Sequence, residues 1–141
     1  MRRDEQADDA HIEIRGLTMA YESFVVMRDI NAQVRRGEVF VIMGGSGCGK
    51  STLLRHLIGL KEPAGGEILY HGRSFTAAGH DEREKMMTRF GVLFQGGALW
   101  SSMTLAENIA LPIEEYTDLS KREVADMVGL KLALVGLKGF E

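Results

Sequence analysis

A short apolar run that ends in a glycine cluster and continues into a leucine-striped segment constrains this chain more than any other feature. Val39-Phe40-Val41-Ile42-Met43 is continuous and rich in β-branched and aromatic residues, as suits a strand buried on both faces of a parallel sheet. Gly44-Gly45-Ser46-Gly47-Cys48-Gly49 follows, and Leu53, Leu54, Leu57 and Ile58 then fall at helical spacing behind Lys50. Strand, glycine loop and helix open an α/β layered domain. Gly44, Gly49, Lys50 and Ser51 satisfy G-x-x-x-x-G-K-[ST]. Glycines let the backbone curl so that successive N–H groups point at phosphate oxygens. The helix beginning near Lys50 adds its positive end. The Lys50 ammonium reaches β- and γ-phosphates, and the Ser51 hydroxyl suits a bridging Mg2+. The segment from Gly44 through Thr52 is thus a candidate polyphosphate cradle. Cys48 within it is either a small residue that fits or a thiol activated by Lys50 and the helix end.

The rest of the chain supports the same architecture. His11 to Arg15 alternates like a half-buried strand, and Phe24 to Val34 does so again. Arg36-Gly37-Glu38 turns the chain into the apolar run. Gly59 or Pro63 ends the first helix. Glu67 to Tyr70 and Val92 to Phe94 are expected as strands, with a helix over Asp81 to Arg89 between them. A short helix is expected over Leu105 to Leu111, ending before Pro112. Ser120 with Glu123 forms a capping box that opens a helix toward Val135. His56, on the first helix, is a surface or packing residue. The acidic residues of Asp81 to Lys85 form a solvated helix face.

The chain has 141 residues with a net charge of only -3, so no large basic face advertises a nucleic-acid partner. One cysteine excludes an internal disulfide. No stretch reaches the roughly 18 consecutive apolar residues of a spanning helix. Met1 to Ala10 is polar and charged, and is expected to be a disordered tail with no signal-peptide character. A membrane link would come through a partner.

Gly44-Gly45-Ser46-Gly47-Cys48-Gly49-Lys50-Ser51-Thr52-Leu53-Leu54 resembles the Walker A segment of the ABC ATPase family. Arg36-Gly37-Glu38 before it and the P-x-x-G-x-I-x-x-x-G pattern from Pro63 to Gly72 after it are also similar to that family. The resemblance implies a P-loop NTPase of the ABC ATPase core: a RecA-like subdomain with an N-terminal antiparallel β part, ATP and Mg2+ as cofactors, and ATPase activity. It implies that Tyr21 stacks on adenine as the A-loop aromatic, where the bland alternative is packing at a sheet edge. It implies that Gln95 is the Q-loop glutamine, touching Mg2+ and the attacking water, where the alternative is a polar residue at a strand end. Leu99 and Trp100 either face a transmembrane subunit or anchor the loop.

Four further segments narrow the resemblance to the ATPases of Mla-type lipid transporters, also called organic-solvent-tolerance systems. They are Phe40 to Gly47 with Leu54 to Leu60, Gly97-Ala98-Leu99-Trp100-Ser101, and Glu107-Asn108. This implies coupling of ATP hydrolysis to lipid transport through a transmembrane permease, a second ATPase subunit, and indirectly a lipid-binding substrate protein. Nucleic acid is not an implied partner, and the location implied is the cytoplasmic side of the inner membrane, peripheral through the permease. The family also uses an LSGGQ-like signature, a strand ending in Asp-Glu and a switch histidine, none of which occurs in this sequence. The expected organisation is therefore a tail over 1–10, a nucleotide-binding core over 11–112, and the start of a helical subdomain over 113–141. Such an N-terminal portion is expected to bind nucleotide weakly and not to turn it over alone. The competing readings are a non-catalytic nucleotide-binding module and a soluble ABC protein outside transport.

Overall fold

A computed structural model describes residues 10–141. They form two compact units, the first ending at Val92 and the second spanning Leu93–Glu141. The sequence had suggested a division after residue 112. The expected tail falls on residues 1–9, outside the described residues, and Ala10 already belongs to a strand.

The first unit is built on an antiparallel sheet. Strands β1 (Ala10–Tyr21) and β2 (Phe24–Arg35) form a hairpin, β3 (Gly65–Tyr70) pairs with the other edge of β1, and β4 (Arg73–Ser74) pairs with β3. The strand order is β2-β1-β3-β4. β1 continues past Arg15 because its phase changes. Ile14 is buried, Gly16 adopts φ 55°, and Leu17 and Met19 are buried beyond it. The pairing with β2 shifts register between Ile14 and Leu17. A bulge of this kind swaps which parity of residue faces the core. Asn31 Oδ1 accepts the Gly16 N–H at 2.8 Å and so pins the bulge.

Gly66 explains the glycine of the P-x-x-G pattern. At φ +84°, a Cβ there would lie 2.4 Å from the carbonyl oxygen of Gly16 and 2.5 Å from Leu17 Cα. Only glycine allows the β1 and β3 backbones to meet so closely. Helix α1 (Lys50–Leu57) and helix α2 (His80–Met87) complete this unit. Ile14, Leu17 and Met19 of β1, Leu53 of α1, Ile68 of β3, Phe75 and Met86 of α2 form its core. Arg83 of α2 donates to the carbonyls of Phe75 and Thr76 and pairs with Glu62.

Two expected strands of the parallel sheet are not formed. Val39–Met43 has no regular structure, and Val39 and Met43 are 88% and 85% exposed. Val92–Phe94 is likewise irregular. A central strand needs hydrogen-bonded neighbours on both sides. Among the described residues each candidate lacks them, so composition alone does not produce a strand.

The second unit is a helix pair, α3 (Leu105–Tyr116) and α4 (Lys121–Leu134). Both begin with complete capping boxes, Thr104 with Glu107 and Ser120 with Glu123. Val124, Val128 and Leu132, one turn apart, pack against Ala106, Ile109, Ala110 and Ile113. That contact extends past Pro112, and so does the helix, contrary to the expected end at Leu111. The apolar stripe continues at Ile113, which offsets the hydrogen bond that the proline cannot donate. Among the described residues no helix is long and apolar enough to cross a membrane.

Candidate functional site

The glycine loop closes on its own lysine. Gly49 caps α1 in the left-handed region at φ 96° and offers no side-chain acceptor, so no side chain caps the first amides of the helix. Lys50 Nζ donates to the carbonyl oxygens of Gly44 at 2.8 Å and Gly45 at 2.7 Å, and lies 3.4 Å from Cys48 Sγ. The ammonium therefore sits inside the ring of residues expected to hold phosphate. A polyphosphate entering there would replace neutral carbonyl acceptors of the ammonium by anionic oxygens.

The four loop glycines differ in what holds them. A Cβ on Gly44 would lie 2.5 Å from Cys48 Sγ. Gly47 requires φ +78° but has open space around it. Gly49 combines φ +96° with Val26 Cγ1 at 3.1 Å, while Gly45 has neither constraint. Ser46, Cys48 and Ser51 are exposed. Beneath the loop, an apolar cleft of about 370 Å³ opens between residues 40–43 and the inner face of the hairpin, including Ile14, Met19, Met27 and Ile30.

Tyr21 lies beside this loop. Its hydroxyl is 3.5 Å from Thr52 Oγ1 and accepts from Arg55 Nη1 at 3.2 Å. Lys61 Nζ stands 4.0 Å over the ring centroid. The hydrogen bond with Thr52, then that with Arg55, pulls the Tyr21 hydroxyl below the ordinary phenol range. Tyr21 ends β1, so the sheet brings the candidate base platform to the first turn of α1. Thus Tyr21, Thr52 and the Gly44–Ser51 loop come together within one unit. Arg55 and Lys61 were not expected there. Their sequence signal is one-turn spacing from Thr52 to Arg55, and a basic residue just past the helix-ending glycine.

Gln95 belongs to the second unit and is exposed in the irregular segment before α3. Leu99 and Trp100 are 63% and 65% exposed, so neither anchors the loop. The anchor is Asn108. Its Oδ1 accepts the Trp100 N–H at 2.7 Å, and its Nδ2 donates to the carbonyls of Trp100, Met103 and Thr104. In the sequence Asn108 is marked only by the Glu107-Asn108 pair of the family resemblance. The T-x-x-E spacing of Thr104 and Glu107 was a readable cap, of the same form as the one recognised at Ser120.

His56 is buried, 1% exposed. The acidic residues at Asp81, Glu82 and Glu84 are exposed, as expected of a solvated face.

The profile of the family described as ABC transporter matches residues 27–140. The "Probable ribonucleotide transport ATP-binding protein mkl" of Mycobacterium leprae is 44% identical over 130 residues, covering 92% of this chain and 38% of the relative. The "Intermembrane phospholipid transport system ATP-binding protein MlaF" of Haemophilus influenzae is 38% identical over 128 residues, covering 91% of this chain and 48% of the relative. Among solved structures, a dimeric ATP-binding cassette in a post-hydrolysis state with ADP and Pi superposes with a TM-score of 0.80. It is 26% identical, with 91% of this chain and 58% of that chain covered. The chain thus spans less than half the length of these two relatives.

Proposed function

The chain belongs to the ABC transporter family, and from that premise we propose that it is the ATP-holding portion of a transporter ATPase whose longer form drives lipid transport through a permease. The observation that carries this reading is the convergence of Lys50, the loop carbonyls and the start of α1 at one point, with Tyr21 joined to it through Thr52. In this reading the amides from Gly45 to Thr52 and the Lys50 ammonium hold the β- and γ-phosphates. Tyr21 receives the adenine ring.

Mg2+ fits the oxygen donors of this chain. Ser51, in the first turn of α1, carries a hydroxyl, and Gln95, in the second unit, carries an amide oxygen; each is the kind of hard donor Mg2+ prefers. The ion would neutralise phosphate charge. Gln95 would order the attacking water through an amide that accepts and donates without titrating. Leu99 and Trp100 would face the permease, presented by Asn108. A second copy of the ATPase would complete the site. The domain reading follows: a nucleotide-binding core over 11–112 and the beginning of a helical subdomain after it.

Lipid as the cargo is supported by the Mla-like segments around Gly97–Ser101 and Glu107-Asn108, and by the name that one relative carries. The name of another points to ribonucleotides. The two are separated by reconstituting the longer protein with a transmembrane permease in proteoliposomes. Stimulation of hydrolysis by phospholipid, and not by ribonucleosides, supports lipid; the converse removes it.

ATP binding is tested directly on this chain by titration with a fluorescent ATP analogue. Saturable Mg2+-dependent binding is expected, abolished by Lys50→Ala with the circular dichroism unchanged. Equal binding by the wild type and Lys50→Ala would sink the reading.

A further inference from the structure

The end of α1 is shaped to bring one residue back over Tyr21. Gly59 turns the chain at φ +75°, and a Cβ there would meet Phe75 Cζ at 2.9 Å. Its N–H bonds the His56 carbonyl at 3.2 Å, and the N–H of Leu60 bonds the Arg55 carbonyl at 2.8 Å. This pair of bonds is a Schellman motif. It folds residues 59–61 against the last turn of the helix, and the Lys61 N–H also reaches the Arg55 carbonyl at 3.2 Å.

His56 locks the result. Its Nδ1 lies 2.8 Å from the Lys61 carbonyl oxygen. A carbonyl only accepts, so Nδ1 carries a proton and donates it. Nε2 is buried and has no hydrogen-bond partner. A buried polar ring left half-satisfied costs stability, and what it offers that a leucine would not is its one hydrogen bond. That bond fixes the backbone of Lys61, the residue whose ammonium stands over Tyr21.

We propose that His56 and Lys61 are positioning residues for the base platform. His56 holds the Lys61 backbone, Lys61 covers one face of the Tyr21 ring, and the opposite face is left to stack a nucleobase. Arg55 and Thr52, bonded to the hydroxyl, fix the rotation of the ring in its plane. An ammonium on one face draws electron density from the ring, which makes the free face a better partner for an electron-rich purine. On the nucleotide reading above, lysine, tyrosine and base then form three successive layers.

This inference rests on the nucleotide reading above, so its test separates base from phosphate. Dissociation constants are measured for MgATP and for inorganic tripolyphosphate, on the wild type, Lys50→Ala, Lys61→Met, Lys61→Arg, His56→Leu and His56→Asn. Lys61→Met is expected to weaken ATP about three- to fivefold, the size of an exposed cation–π contact, and to leave tripolyphosphate unchanged. Lys61→Arg keeps ATP affinity. His56→Leu repeats the Lys61→Met effect, adds nothing on top of it, and is rescued by His56→Asn, which restores a donor at the Nδ1 position. Equal shifts for both ligands, or no shift in Lys61→Met, overturn the inference while the nucleotide reading stands. If Lys50→Ala leaves both ligands unaffected, that reading falls and this inference with it.

Discussion

Lys50 Nζ lies 2.7 Å from the carbonyl oxygen of Gly45, five residues earlier on the loop that its own side chain closes. With Gly44 also bonded, the lysine braces the loop before any ligand arrives. Replacing it by alanine should therefore change the ligand-free protein. Lys50→Ala is expected to lower the backbone 15N order parameters across 44–49 into the flexible range, below about 0.6. Those of Gly65–Tyr70 should stay in the range of a rigid strand. Unaltered order parameters in the loop would show that the bracing contacts carry no weight.

A second prediction concerns Gly44 and Cys48. The 2.5 Å approach of a Cβ on Gly44 to Cys48 Sγ means that Gly44→Ala displaces the loop. ATP affinity should fall about tenfold, or roughly 1.4 kcal/mol. Cys48→Ala removes the obstructing atom, so the double variant should regain most of the loss. A double-mutant cycle by fluorescence titration measures this coupling; additive losses would place the damage elsewhere.

Asn108 gives a third. Four hydrogen bonds from one side chain hold the 100–104 turn. Trp100 is the only tryptophan of the sequence and reports on that turn without labelling. Asn108→Ala should lower its fluorescence anisotropy and make the turn the first site of proteolysis. The helix signal should drop little, because the α3–α4 contact does not use Asn108. An unchanged anisotropy would show that the turn holds itself.

The fourth is a pH dependence. His71 is exposed as a residue, yet its ring meets that of His11 edge-on at 4.3 Å. Loss of hydration there, then the charges of His11, Arg89 and Arg36, hold its imidazole below the ordinary range near 6.5. The unfolded chain then binds more protons than the folded one in the interval just below 6.5. Stability is thus full above 6.5 and is lost as pH falls through the depressed folded value. Urea midpoints should drop between pH 7.5 and 5.5, and drop less in His71→Asn, which tolerates the φ of 50° at this position. Identical pH slopes in the two proteins would remove His71 from the account.

What could be seen in the sequence followed from local physics. The hairpin alternation, the leucine stripe of α1, the Ser120 cap and the phosphate-loop pattern each depend on a few neighbouring residues, and each was legible. The full length of β1 was not, because the bulge at Gly16 swaps the inward parity between Ile14 and Leu17. The apolar run at 39–43 misled for the opposite reason: its composition is that of a buried strand, but a strand is made by partners far along the chain. At the site, Tyr21 and the glycine loop were legible by residue type. Arg55, His56 and Lys61 were not, since their arrangement depends on a turn closed by backbone bonds at Gly59.

The unequal footing of the four loop glycines carries a lesson for divergence. Position 45 can drift to serine or alanine at no steric cost, and position 44 can follow only where 48 has first become smaller. Position 47 can exchange glycine for asparagine with modest strain, while position 49 is frozen by both its dihedral and its neighbours.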